Sequence, residues 1–282
     1  MVEELSRNLL LTAILEKYGY DFHGYTKDSF NRRVEFLLMR YGLRDELDLL
    51  AKIVREPNFF REIIPQLTIS TTELFRDPGF FASFRQKVVP VLRSYPSLNF
   101  WIAGCSTGEE VHSLAILLHE EGLYERSLIY ATDINPESLK RASEGIYALE
   151  TVRSFPKNYL AAGGTHSPSE YYTADYDLAR FRSSLRDHVV FSDHNLATDE
   201  SFLEHNVIFC RNVMIYFKRE LQERVFDLFD ESLSDRGFLC LGSKETMRFS
   251  KYDKCYDAID TTQRIYQKNP VSEGRRVNLR NG

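Results

Sequence analysis

Near Leu98 the apolar pattern of this chain changes period, and that change narrows the folds open to it. From there on, short apolar runs of strand length alternate with amphipathic helical segments. The runs are Asn99-Phe-Trp-Ile-Ala-Gly104, Ser127-Leu-Ile-Tyr-Ala-Thr132, His188-Val-Val-Phe-Ser192, Asn206-Val-Ile-Phe-Cys210 and Gly237-Phe-Leu-Cys-Leu-Gly242. Between them, Glu109 to Glu121 carries Val111, Leu114, Ala115 and Leu118 on one helical face. Asn135-Pro136 opens a second helix, and Arg219 to Leu233 reads as a third. Strands that alternate with helices pair in parallel through right-handed crossovers. The reading is therefore α/β, with a Rossmann-like sheet. Tyr256 to Tyr266 adds a further strand. Residues 163–187, with Gly163-Gly164, Pro168 and three tyrosines, break the alternation and read as a small β-rich insertion.

Residues 1–70 keep helical spacing throughout. Leu9, Leu10, Ala13, Ile14 and Tyr18 form one stripe. After a turn at Tyr20–Gly24, Thr26 is placed to cap a helix bearing Phe30, Val34, Leu37 and Leu38. A third helix carries Leu47, Leu50 and Val54 up to a stop at Pro57, and a fourth carries Phe59, Phe60, Ile63 and Ile64. The expected organisation is an all-helical N-terminal domain (1–70), a linker with a helix (71–97), an α/β domain (98–270) interrupted by the β insertion, and a flexible tail (271–282).

A net charge of −5 gives no global positive field to attract phosphates, which argues against nonspecific nucleic-acid binding. Cys105, Cys210, Cys240 and Cys255 form no C-x-x-C pair and have no histidine at zinc-ligand spacing, so buried, reduced thiols and no metal are expected. No apolar run is long enough to cross a membrane, and Met1 to Arg7 lacks a signal pattern. The expected setting is the cytoplasm, and the expected state a monomer.

The chemistry concentrates at strand ends. Trp101-Ile-Ala-Gly104-Cys-Ser-Thr-Gly108-Glu109-Glu110 runs from a strand through a glycine turn into a helix, where glycine lets a ligand approach the backbone. Asp133 closes the next strand, where a carboxylate can accept hydrogen bonds from both ribose hydroxyls of a nucleoside. Gly104-x-x-x-Gly108 alone is weak. Yet the turn has no phosphate-loop lysine and carries Glu109 and Glu110, where a phosphate would want bare N–H groups. An acidic turn suits a cationic, phosphate-free ligand, and S-adenosylmethionine is one. Asp193-His194-Asn195-Leu196 and Arg211-Asn212 end two further strands. Each alone reads as a cap or turn, but their agreement on one sheet edge favours a site. For His194 a capping or packing role is the expectation, and Trp101 reads as core. In Ile69 to Asp77, Ser70, Thr72 and Arg76 either touch that ligand or form a linker in which Thr72 caps a helix and Arg76 pairs with Asp77 or Glu73.

Taken together, Thr72-x-x-Phe75-Arg76-Asp77, Gly104-Cys-Ser-Thr-Gly-Glu-Glu110, Ala131-Thr-Asp-Ile-Asn135, His194-Asn-Leu196 and Cys210-Arg-Asn-Val-Met-Ile-Tyr-Phe217 resemble the CheR-type chemotaxis receptor methyltransferases. The motifs stand in family order and span about residues 20 to 268. The resemblance implies S-adenosylmethionine as cofactor, S-adenosylhomocysteine as product, and methyl esters made on glutamates of methyl-accepting chemotaxis receptors. It implies recruitment to membrane receptor arrays without membrane insertion. By position it implies cofactor contacts from Ser70, Thr72, Arg76, Gly104, a glutamate of the Glu109-Glu110 pair, Asp133, Asn195, Leu196, Arg211 and Asn212. Tyr216 matches a family tyrosine near the methyl acceptor, and Arg76 and Tyr216 are expected to help hold the cofactor and the acceptor. Two positions depart from the family: Ser70 replaces an Asn, and Val111-His112 replaces Pro-Tyr.

Arg32, Arg33, Arg40 and Arg44 are the candidates for docking an acidic receptor helix, with Arg33, Arg40 and Arg44 on one approximate helical face by spacing. The alternative is a solvated face in which Arg40 or Arg44 pairs with Asp45 or Glu46. Two other function classes stay open: the same chemistry on a receptor-like protein of a pilus or biofilm pathway, and a non-catalytic cofactor-sensing scaffold.

Overall fold

The computed structural model describes residues 2–68 and 72–270. Four helices, α1 (Val2–Tyr18), α2 (Lys27–Tyr41), α3 (Glu46–Arg55) and α4 (Pro57–Leu67), pack around Leu10, Ile14, Phe22, Val34, Leu37, Leu49, Ile53, Phe60 and Ile63. The residues at their ends explain the boundaries. Gly42 ends α2 in the left-handed region, at φ 63°. Asp45 caps α3 by accepting from the N–H groups of Leu47 and Asp48. Pro57, read as a stop, is also the first residue of α4, where its missing N–H costs nothing. Thr26 has the extended backbone of a cap, but its side chain caps nothing. Its N–H instead reaches across to the Tyr216 carbonyl at 2.8 Å.

Two short helices, α5 (Pro78–Lys87) and α6 (Val89–Leu92), lead into β1 (Leu98–Ala103). The chain continues through α7 (Glu109–Glu120), β2 (Ser127–Asp133), α8 (Pro136–Glu144), β3 (Ile146–Ala148), α9 (Phe155–Ala161), β4 (Tyr172–Asp175), β5 (Leu178–Phe181), β6 (Val189–Asp193), β7 (His205–Cys210), α10 (Arg219–Ser232), β8 (Leu233–Leu241), β9 (Tyr256–Asp260) and β10 (Ile265–Lys268). The main sheet has the order β6-β2-β1-β7-β8-β10-β9. It is parallel from β6 to β8, and β10 runs antiparallel to both neighbours. The fold is thus mixed α/β with a mostly parallel central sheet beside N-terminal helices, as the sequence led us to expect.

Two further details differ from the sequence reading. The single strand expected over Tyr256–Tyr266 is a hairpin, because Asp260 turns the chain by accepting from the N–H groups of Thr262 and Gln263. The inserted sheet, of order β3-β5-β4, recruits Ile146–Ala148 from before residue 163. Tyr147 and Phe181 join it to the main hydrophobic core, and Tyr172 stacks on Phe181. The expected tail, 271–282, lies outside the described residues. Trp101 is fully buried and donates to Thr132 Oγ1 at 2.9 Å. Cys105, Cys210 and Cys240 are buried free thiols.

Strand order reverses beside β1, so the chain leaves β1 toward β2 on one side and meets β7 on the other. Open parallel sheets bind ligands outside the carboxyl ends of their strands at such a reversal.

Candidate active site

A cleft of about 950 Å³ opens over that edge. Its floor is the turn after β1. Gly104 adopts φ +78°, and a Cβ there would sit 2.6 Å from a Val213 methyl, so only glycine keeps this wall open. The N–H groups of Gly104 and Cys105 both bond the Thr132 carbonyl at 2.8 Å, which fixes the turn against β2. Asp133 at the end of β2 accepts one backbone N–H on each oxygen, from Ser106 at 2.8 Å and from Asn135 at 2.9 Å. Burial pushes its acid up, and the backbone donors oppose that shift.

Arg211, at the end of β7, ties the second wall. Its guanidinium donates to Glu110 Oε2 at 2.5 Å, to Asp77 Oδ2 at 2.9 Å and to the Arg76 carbonyl at 3.1 Å, and lies over the Phe80 ring at 4.1 Å. Its side chain is only 1% exposed. Asp77 thus accepts from Arg211, and Glu73 accepts from Ser154 Oγ at 2.9 Å. Burial raises the Glu110 acid, while Arg211 and then Arg76 hold it toward the charged form.

Thr72, Arg76, Gly104, Glu110, Asp133, Asn195, Leu196, Arg211, Asn212 and Tyr216 all line this one cleft. Ser70 lies outside the described residues. Glu109 does not line the cleft. Its carboxylate turns back to accept from Thr107 Oγ1 at 2.6 Å and is buried, so only Glu110 of the pair faces the space. Asn195 keeps both roles open to it. It lines the cleft, and its Oδ1 also accepts from Ala197 N–H at 3.0 Å to form a turn.

The docking arginines separate. Arg32 and Arg40 are exposed on α2, and Arg33 is half-buried near Tyr216. Arg44 cannot share their face, because α2 ends at Tyr41. It binds Asp48 at 2.8 Å instead of Asp45 or Glu46. Asp45 is spent as a cap, and Glu46 pairs with Arg7.

Two contributors escaped the sequence reading. Tyr25, from the strap before α2, lines the cleft and packs edge-on against Phe217 at 5.0 Å. Burial first, and Asp133 second, keep its hydroxyl protonated. The strap is clamped by Lys218 N–H on the Gly24 carbonyl at 2.7 Å. Glu245 sits beneath the Arg211–Tyr216 loop. Its carboxylate accepts four backbone N–H groups, from Gly242, Asn212, Val213 and Met214, at 2.6 to 2.9 Å. Gly242-x-x-Glu245 directly after a strand was the available signal for it.

The family model described as "CheR methyltransferase, SAM binding domain" matches residues 70–265. A Pseudomonas putida protein whose name, Cher3, carries a methyltransferase assignment is 49% identical over 94% of this chain and 97% of its own. Chemotaxis protein methyltransferases of Klebsiella aerogenes (31% identical, 82% of this chain and 80% of theirs) and Borreliella burgdorferi (29%, 88% and 90%) also match. Among solved structures, the N-methyltransferase NodS of Bradyrhizobium japonicum WM9, in complex with S-adenosyl-L-homocysteine, aligns at TM-score 0.36 and 13% identity over 60% of this chain and 62% of that one.

The residues fit such a cofactor. Glu110 and Asp133 place two carboxylates on the cleft beside Arg76 and Arg211, no lysine lines it among the described residues, and the absent Gly104 side chain leaves room against the turn. Among the described residues no cluster of His, Cys, Asp and Glu could hold a metal. Geometry and likeness therefore converge: the chain belongs to the CheR methyltransferase family, with S-adenosylmethionine as its methyl donor.

Proposed function

We propose that this enzyme esterifies glutamate side chains on the cytoplasmic helices of methyl-accepting chemotaxis receptors. The relatives named chemotaxis protein methyltransferases favour this acceptor. The observation that carries it is the junction between α2 and the cleft. Thr26, at the start of α2, donates its N–H to the carbonyl of Tyr216, a residue lining the cleft, and Arg33 on α2 lies close enough to feel the Tyr216 hydroxyl. A helix bearing Arg32, Arg33 and Arg40 thus leads straight to the acceptor end of the site. An acidic helix laid along it would be drawn in by charge, which acts mainly on the rate of encounter and weakens with salt.

When bound, S-adenosylmethionine supplies a methyl group on a sulfonium, open to in-line attack by a carboxylate oxygen. A glutamate with its ordinary acidity, near 4.3, is already ionised at neutral pH, so the protein needs no general base. Its residues have only to align and exclude water, and positioning alone can lower a barrier by about 7–11 kcal/mol in favourable cases. Arg76 and Tyr216 are the residues proposed to orient the two reactants. Asp133 would hold the ribose, and Thr72, Asn195, Leu196 and Asn212 would line the rest of the nucleoside and amino-acid space. Arg211 would act through Glu110 and Asp77, as a brace between the walls.

The test is to incubate the enzyme with labelled cofactor and purified receptor cytoplasmic fragments, then map the label by mass spectrometry. Base-labile methyl esters on receptor glutamates are expected. Label on other residue types, or none on any receptor, would overturn the proposal.

A further inference from the structure

The turn after β1 has two sides. Gly104, Cys105 and Ser106 line the cleft, as does Glu110 just beyond, whereas Thr107 and Gly108 do not. The backbone here is left-handed, with Ser106 at φ 51° and Gly108 at φ 92°. A residue other than glycine persists in that region only where its surroundings fix it. On the cleft side the Ser106 N–H is fixed on Asp133. On the far side the fixing groups come from the inserted sheet and from α7.

Tyr147, the middle residue of β3, donates its hydroxyl to the Thr107 carbonyl at 2.9 Å. The side chain is buried, and burial keeps the hydroxyl protonated and able to donate. In the first turn of α7, His112 Nδ1 lies 2.8 Å from the Gly108 carbonyl and 3.0 Å from the Tyr147 oxygen. The carbonyl can only accept, so Nδ1 carries the ring proton and shares it between those two oxygens. Nε2 is then an acceptor, and Arg186, in the turn after β5, brings Nη1 to 3.5 Å from it. The packing is close: a Cβ on Gly108 would lie 2.7 Å from the Ala142 Cβ and 3.2 Å from the Tyr147 hydroxyl. Neither Tyr147 nor His112 lines the cleft, so both meet its floor from behind.

We infer that Tyr147 and His112 are positioning residues for the cofactor. They hold the turn after β1 in the shape that receives it, and they make the inserted sheet part of the support of the site. This rests on the reading that the turn receives the cofactor. It gives the insertion a task inside the enzyme, and gives a task to His112, one of the positions that depart from the family.

The probe is S-adenosylhomocysteine, followed by calorimetry, with thermal unfolding of the ligand-free protein measured in parallel. Tyr147→Phe removes only the hydroxyl and should weaken binding about twofold to tenfold, the worth of one ordinary hydrogen bond. Tyr171→Phe is the control, because that hydroxyl bonds Glu120 at 2.8 Å instead of the turn. It should lower the melting temperature and leave affinity unchanged. His112→Leu should weaken binding as Tyr147→Phe does, and His112→Asn, which keeps an N–H for the Gly108 carbonyl, should restore it. Unchanged affinity in Tyr147→Phe, alongside weakened binding by Gly104→Ala, would overturn the inference and leave the turn as the cofactor's seat. Unchanged affinity in both would remove the reading beneath it as well. An equal loss of affinity in Tyr171→Phe would mark a general loosening and overturn the inference. Hydrogen exchange of the wild type needs no variant: the ligand should slow amide exchange at residues 145–149 together with 104–110. Slowing confined to the turn would overturn the inference.

Discussion

Glu245→Gln is the substitution whose cost can be worked most directly from the structure. The Glu245 carboxylate is buried, yet its two oxygens take four backbone N–H donors: Val213 and Met214 on Oε1, Asn212 and Gly242 on Oε2. Burial pushes its acid up, and the four backbone N–H donors, which favour the charged form, oppose that shift. Glutamine keeps one oxygen and two of the bonds. Its NH2 group then faces two N–H donors, which lose their acceptor and meet a donor in its place. A hydrogen bond to a charged group contributes about 1.5–3 kcal/mol, so losing two costs about 3 kcal/mol once the loop relaxes. For a chain of this size that lowers the melting temperature by roughly 6–12 °C. The Arg211–Tyr216 loop, with Asn212 at φ 61°, should shift as well and weaken S-adenosylhomocysteine binding. Urea unfolding of wild type and variant, with unchanged m-value, measures the stability loss. A loss below about 1 kcal/mol would show that the four bonds do not hold this loop.

Gly104→Ala puts a Cβ 2.6 Å from Val213 at a φ that L-residues avoid, so calorimetry should find cofactor binding weakened at least tenfold, with little change in the rest of the fold. Tyr216→Phe should lower turnover on receptor more than S-adenosylhomocysteine affinity; equal turnover would remove its acceptor role. Arg33→Glu with Arg40→Glu should slow receptor methylation at low salt, and rates equal to wild type at all salt concentrations would return these residues to a solvated face. His112 and His205 are both fully buried and held down to about 4, mainly by burial. A depressed histidine stabilises the fold above its unfolded value near 6.5, and that contribution drains away as pH falls toward 4, by on the order of 3 kcal/mol for each. His112→Gln should flatten the fall in stability over that window, as read by urea midpoints at several pH values.

The strands and most helices were legible because their signals are local. A five- or six-residue apolar run needs no partner to be recognised, and Asn135-Pro136 or Pro57 marks a helix boundary by its own backbone preference. The inserted sheet was only half legible. Ile146–Ala148 is too short to announce itself, and becomes a strand only because β5 pairs with it. The site followed the same division. Residues at strand ends could be named because topology forces them onto one edge. Which of Glu109 and Glu110 faces the cleft depended on the rotation of α7, and on Thr107 being there to donate its hydroxyl to Glu109. Tyr25 lies far in sequence from the strand ends that form the site and reaches it through a strap clamped by Lys218, and no spacing could reveal it. Arg44 leaves the α2 face for a local reason: Gly42 ends the helix before it.

The most direct test is a crystal structure of the protein grown with S-adenosylhomocysteine. The ligand should lie over the carboxyl ends of β1 and β2, with its ribose against Asp133, its body along Gly104 and Asn195, and its sulfur toward Tyr216. Ligand density anywhere else, or an empty crevice at saturating ligand, would contradict the account.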